Sequence, residues 1–206
     1  MEFISHRVNK IDELMQTPGE YGVELDVRDD LNGRIYMEHD PFCDGEDFEE
    51  YLKQYHCGTM IINVKSERIE LKILELLRQY QIENYFFLDS SFPMIKLLSD
   101  RGEKKIALRF SEFEGMDTLR NMQGKVQWVW ADCFTRFPLD RSQAEEIRGM
   151  GYKMCFVSPE LQGQEEKIEE YAGIIKDNQI VFDAICCKSR NIDKWKKLLT
   201  GTPTES

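Results

Sequence analysis

Two histidines, two closely spaced carboxylates and a few cations are the groups in this chain able to do chemistry together. His6 and His39 are two of the three histidines present. Imidazoles titrate near neutrality and pass protons in either direction, which suits a general base and a general acid. The third, His56 in Gln54-Tyr55-His56-Cys57, reads as a capping or solvated side chain at a helix end. Glu24 and Asp26 stand two residues apart in Val23-Glu24-Leu25-Asp26-Val27. On a strand this spacing places both carboxylates on one face, roughly 6–7 Å apart, with the aliphatic residues on the other. Like charges brought together away from water are costly unless a cation joins them, and a hard divalent ion such as Mg²⁺ or Ca²⁺ prefers oxygen donors. Ion pairs from Arg7 or Arg28 to these carboxylates are the structural alternative. Asn63 and Lys65 repeat the two-residue spacing in Met60-Ile61-Ile62-Asn63-Val64-Lys65. Arg7 carries a planar fork matched to phosphate oxygens. Arg7, Lys65 and a divalent ion gathered in one place would stabilise charge on a phosphoryl group in transfer.

The elements that must position these residues alternate regularly. Short runs rich in β-branched and aromatic residues occur at 3–5, 23–28, 60–65, 85–89, 106–110, 127–132, 153–158 and 180–185; each reads as a strand. Helix-like stretches fall between them at 45–54, 69–80, 91–101, 140–150 and 164–176, with a last one at 191–199 and short ones near 10–15 and 116–121. Eight strand–helix alternations without a break in composition predict an α/β fold, a compact (β/α)8 TIM barrel over residues 1–206 as one domain. An open doubly wound sheet is the alternative. After the second strand, Asp29-Asp30-Leu31-Asn32-Gly33-Arg34 contains Asn-Gly, the preferred pair for a tight type I′ turn. This predicts a β-hairpin excursion that returns through 34–39 and brings His39 to the rim beside His6. Other strand ends offer Asp89, Arg109, Trp130, Asp132, Ser158, Glu160 and Asp183.

Composition limits the partners. The 206 residues are 41% hydrophobic and 32% charged, with 27 Lys and Arg against 38 Asp and Glu, a formal net charge of −11. That excess opposes a nucleic-acid binder, which needs a basic field over the phosphates, and it opposes adhesion to an anionic membrane. No apolar run reaches the length of a transmembrane segment. The start, Met1-Glu2-Phe3-Ile4-Ser5-His6, lacks the basic-then-apolar pattern of a signal peptide, so a cytoplasmic location is expected. The six cysteines show no CxxC spacing and read as reduced, mostly buried thiols. Phosphate-loop and dinucleotide fingerprints are absent.

Taken in order, His6-Arg7, Glu24-Leu25-Asp26-Val27, Gly33 followed by His39-Asp40, and Asn63-Val64-Lys65 resemble the glycerophosphodiester phosphodiesterase family, whose barrels group with phosphatidylinositol-specific phospholipase C-like phosphodiesterases. The family's opening His-Arg-Gly is matched at His6-Arg7, with Val8-Asn9 where the glycine and its successor would be. Its Glu-x-Lys on the third strand is matched with an amide, Asn63, in place of the carboxylate. Pro41-Phe42-Cys43-Asp44-Gly45-Glu46 replaces the threonine-rich segment that often follows His-Asp, and the family's tryptophan near the last strand's end has no counterpart; Trp195 falls in the terminal helix. The resemblance implies a metal-dependent phosphodiester hydrolase acting on a glycerophosphodiester or related phospholipid-derived small molecule. One divalent cation, Mg²⁺ or Ca²⁺, would be held by Glu24, Asp26 and Asn63. His6 and His39 would transfer protons, with the roles of base and acid open between them, while Arg7 and Lys65 grip the phosphate. The alternative is a catalytically weak or inactive barrel that binds a phosphorylated ligand.

Overall fold

The computed structural model describes residues 1–200; the expected domain, 1–206, extends beyond the described residues. Its elements are β1 (Glu2–Ser5), α1 (Ile11–Gln16), β2 (Gly22–Asp29), β3 (Ile35–Met37), β4 (Glu46–Asp47), α2 (Phe48–Lys53), β5 (Met60–Val64), α3 (Glu70–Gln79), β6 (Tyr85–Leu88), α4 (Phe92–Asp100), β7 (Ala107–Phe110), α5 (Met116–Asn121), β8 (Trp128–Ala131), α6 (Arg141–Gly149), β9 (Lys153–Val157), α7 (Ile168–Asp177), β10 (Ala184–Cys187) and α8 (Ile192–Thr200). This is an α/β fold around a sheet of parallel strands. Each of β1, β2, β5 and β6 pairs in parallel with the next, as do β7 to β10, and β10 pairs with β1. Between β6 and β7 the pairing narrows to one parallel bridge, Phe87 with Ile106. Among the described residues no helix is long and apolar enough to cross a membrane.

Strand alternation sorts the apolar residues into two clusters. Leu25, Ile62, Phe87, Val129, Phe156 and Ile185 pack outward with the helices in the larger one. Ile4, Ile61, Phe86, Leu88, Trp128, Trp130, Cys155 and Cys186 form a smaller cluster on the opposite face of the strands. Cys186 and Cys187, adjacent on β10, thus enter different clusters, as a two-residue period requires. All the cysteines are free, and Cys133, Cys155, Cys186 and Cys187 are buried. Gly22 permits the close approach of β1 to β2, since a side chain there would collide with Ile4 and the Thr59 carbonyl.

Two local expectations differ from the structure. The turn after β2 is not type I′: Asn32 lacks a positive φ, and only Gly33 is left-handed, at φ 77°. Asp30 organises the turn instead. Its carboxylate accepts from the Asn32 and Arg34 amides, its carbonyl accepts from Gly33, and its amide donates to the Arg34 carbonyl. β3 then pairs antiparallel with β2, Arg28 opposite Tyr36. The last parallel strand also starts later than expected, at Ala184 rather than 180. Ile180 and Phe182 are buried in the outer cluster ahead of the strand, so their apolar character reflects packing rather than strand pairing.

Candidate functional site

Past the inner apolar cluster, the same strand face turns polar at the C-terminal ends of β1, β2 and β5. Glu24 and Asp26 are each 1% exposed and Asn63 is 8% exposed. The strands bring them level, Glu24 opposite Ile61 and Asp26 opposite Asn63. Asn63 Nδ2 donates to Glu24 Oε1 at 2.9 Å, and the Arg7 amide donates to Glu24 Oε2 at 2.8 Å. Arg7 adopts a left-handed φ of 57°, an uncommon conformation for a non-glycine residue and one often found at functional sites. His6 Nε2 lies 3.6 Å from Glu24 Oε2. Burial, with Asp26 nearby, raises the Glu24 carboxyl to about 7. Burial, then the Arg7 charge, holds His6 down to about 4. Both shifts favour neutral forms, so this contact is polar rather than a fixed ion pair. Around Asp26, Arg7 Nε lies 3.7 Å from Oδ2 and Lys65 Nζ lies 3.5 Å from Oδ1.

His39 is placed by a different device. Arg28 donates from Nε to the Glu38 carbonyl, from Nη1 to the Lys65 carbonyl and from Nη2 to the His39 carbonyl. One guanidinium therefore ties the returning hairpin to the end of β5. The His39 ring is 38% exposed and its Nδ1 meets Asp40 Oδ1 at 2.7 Å. His39 lies close enough to His6 that a positive charge on its ring would help depress that group. The structure thus brings His6, Arg7, Glu24, Asp26, Asn63 and Lys65 into a contact network, with His39 at its edge, interacting through the field rather than through a hydrogen bond. His56 is elsewhere, its ring nitrogens on the Gln54 and Thr17 carbonyls.

The polar residues on β6, β7 and β8 pair with one another. Arg109 forms ion pairs to Asp89 and Asp132, and Glu114 approaches at 3.9 Å. Asp89 also reaches Lys65 Nζ at 3.8 Å, so alternating charges run from Arg7 through Asp26, Lys65, Asp89 and Arg109 to Asp132. The buried Asp132 receives further bonds from Gln162 Nε2 and the Cys133 amide. Ser158 and Glu160 are likewise absorbed in structure: Ser158 Oγ accepts from the buried Trp195 indole at 2.7 Å and bonds to Glu160, which accepts from the Lys188 amide. Asp183 lies ahead of β10 rather than at its C-terminal end, and its carboxylate accepts from the Met154 amide.

Sequence reasoning missed Asn9 and Lys188. Asn9 Nδ2 donates to Asp26 Oδ2 at 2.9 Å and its Oδ1 accepts from the Asp26 amide at 2.8 Å. The signal available was a bifunctional amide two residues past Arg7. Lys188 follows β10 and lines a cavity of about 740 Å³ with His6 and Arg7; the late start of the strand concealed it.

The donor set suits a hard cation. Asp26 Oδ1 and Asn63 Oδ1 are buried without a hydrogen-bond partner, beside the Glu24 carboxylate. These are all oxygens, the ligand type of Mg²⁺ and Ca²⁺. Among the described residues no three His, Cys, Asp or Glu side chains cluster as a metal set, which follows from the third position being an amide.

No family model matches the sequence, and a search of curated proteins finds no match. Solved structures do match. A glycerophosphodiester phosphodiesterase from Agrobacterium tumefaciens C58 superposes with a TM-score of 0.63 at 16% identity over 90% of this chain and 96% of its own. A second protein of that organism, assigned as a glycerophosphoryl diester phosphodiesterase, gives 0.69 at 11% identity over 96% and 98%. A glycerophosphoryl diester phosphodiesterase from Parabacteroides distasonis gives 0.65 at 13% identity over 100% of this chain and 88% of its own. This chain shares their fold.

Proposed function

We propose that the protein is a metal-dependent phosphodiester hydrolase acting on a glycerophosphodiester or related phospholipid-derived small molecule. In this reading the eight parallel strands close as a single compact (β/α)8 barrel through the Phe87–Ile106 bridge, with a β-hairpin excursion after β2. The observation that carries it is the pair of buried oxygens that accept no hydrogen bond, Asp26 Oδ1 and Asn63 Oδ1, beside Glu24 and His6. The fold shared with solved phosphodiesterases supports the same reading.

Glu24, Asp26 and Asn63 would hold the divalent cation, which when bound would draw charge from the phosphoryl oxygens. Arg7 and Lys65 sit at the same carboxylates and would hold the phosphate by charge-assisted hydrogen bonds. One imidazole removes a proton from the attacking hydroxyl, of water or of a neighbouring group on the substrate. The new P–O bond forms, the P–O bond to the alcohol breaks, and the other imidazole protonates the departing oxygen. Asp40 orients His39 through Nδ1, which leaves Nε2 for that exchange.

A second reading, a barrel that binds a phosphorylated ligand with little turnover, is favoured by Asn63, whose amide is already engaged with Glu24. Turnover of glycerophosphocholine, lysophosphatidylcholine and bis(4-nitrophenyl) phosphate, with chelator and after adding back Mg²⁺ or Ca²⁺, separates the two. The proposal expects hydrolysis that chelator removes and metal restores. Binding of inorganic phosphate with no turnover of any diester selects the second reading, and neither turnover nor binding overturns both.

A further inference from the structure

We propose that Lys188 builds an oxyanion subsite in the cavity beside His6, a role that rests on the phosphodiesterase reading for its substrate but not for its anion. The cavity's lining includes His6, Arg7 and Lys188 and none of Glu24, Asp26, Asn63 or Lys65, so it adjoins the carboxylate cluster through His6 and Arg7 without containing the carboxylates. Ala184 and Cys186 belong to the inner cluster, and the two-residue period carries Lys188 to the same side at the end of β10. Its backbone is fixed, the amide donating to Glu160 Oε1 at 3.1 Å.

The ammonium is what sets this residue apart. Arg7 pairs with Asp26, Lys65 with Asp26 and Asp89, and Arg109 with Asp89 and Asp132, while Arg28 is spent on three carbonyls. Lys188 as a residue is half-buried, and among the described residues its Nζ has no acceptor. Its charge nevertheless reaches the active-site imidazole, being one of those that depress His6. An ammonium without an acceptor gains a charge-assisted hydrogen bond from an arriving oxyanion. Glu13 and Asp193 also line the cavity and would repel an anion, and the remaining cation of the lining, Arg190, is paired with Glu165, so Lys188 and Arg7 are the cations left to receive it.

Calorimetric titration with inorganic phosphate tests the subsite without requiring turnover. Lys188→Ala is expected to weaken phosphate binding about tenfold, the scale of one charge-assisted hydrogen bond. Lys188→Arg should stay within about threefold of the parent by the same scale, and Lys197→Ala, on the exposed part of α8, should change nothing. Lys188→Gln, which keeps the aliphatic stem, replaces the alanine variant if that fails to fold. KM then locates the anion. A rise for both bis(4-nitrophenyl) phosphate and glycerophosphoserine in Lys188→Ala assigns Lys188 to the reacting phosphate. A rise for glycerophosphoserine alone assigns it to an anionic group on the alcohol portion. Unchanged phosphate affinity in the alanine and glutamine variants, or an equal loss in Lys197→Ala, overturns the proposal. If no diester turns over, the hydrolase reading fails while the titration still decides Lys188.

Discussion

The C-terminal ends of the strands divide into two regions built from the same residue types with opposite outcomes. On β6, β7 and β8, two aspartates flank Arg109, and the buried Asp132 is also bonded by Gln162 and a backbone amide. On β1, β2 and β5, Glu24 and Asp26 share one face, burial raises Glu24 to about 7, and Asp26 Oδ1 and Asn63 Oδ1 accept no hydrogen bond. Buried charge is tolerated where it is paired and bonded, and an arrangement left incomplete is where a functional site is to be sought. Lys65 belongs to both regions, 3.5 Å from Asp26 and 3.8 Å from Asp89. The satisfied side therefore supports the unsatisfied one, holding the lysine that would meet substrate.

Four substitutions can break or sharpen that contrast. His6→Ala and His39→Ala should each lower kcat on bis(4-nitrophenyl) phosphate by about a thousandfold, as loss of a proton-transfer group does, with melting temperature little changed; parent-like kcat in both would remove the proton-transfer assignment. Arg109→Met acts on the satisfied side. It strands the buried Asp132 without its cation, leaves Asp89 with Lys65 alone, and should cost about 3 kcal/mol in urea unfolding. A loss under ~0.5 kcal/mol would mean that the pairs are only surface-strength. Asn63→Glu has the smallest effect and the opposite sign, tightening Mg²⁺ or Ca²⁺ binding about tenfold by adding a third carboxylate. An unchanged titration midpoint would show that position 63 does not face the ion.

Legibility followed the range of the physical cause. Glu24, Asp26, Asn63 and Lys65 could be placed together because a strand's two-residue period is local and stringent. The capping box of α6, Asp140 with Gln143, is local in the same way. Ser91, at the start of α4, makes no side-chain cap; its hydroxyl goes to Glu67, a contact 24 residues away in sequence. The pairing of Asn9 with Asp26 and the grip of Arg28 on the Glu38, Lys65 and His39 carbonyls are likewise tertiary, with no local signature. The displacement of β10 has a subtler cause. Ile180 and Phe182 have strand-like composition but bury themselves before the ladder begins, whereas Cys186 and Cys187 continue it.

The junction between β6 and β7 has its own consequence. Elsewhere along the parallel series two or more residues pair across each neighbour, but here one bridge, Phe87 with Ile106, stands alone, and the Asp89–Arg109 ion pair clasps the strand ends above it. Slow breathing of the molecule will begin at this joint, where fewest amides must part. Salt that loosens the clasp would then be expected to admit water first to Phe86 and Leu88, the members of the smaller apolar cluster that flank this bridge.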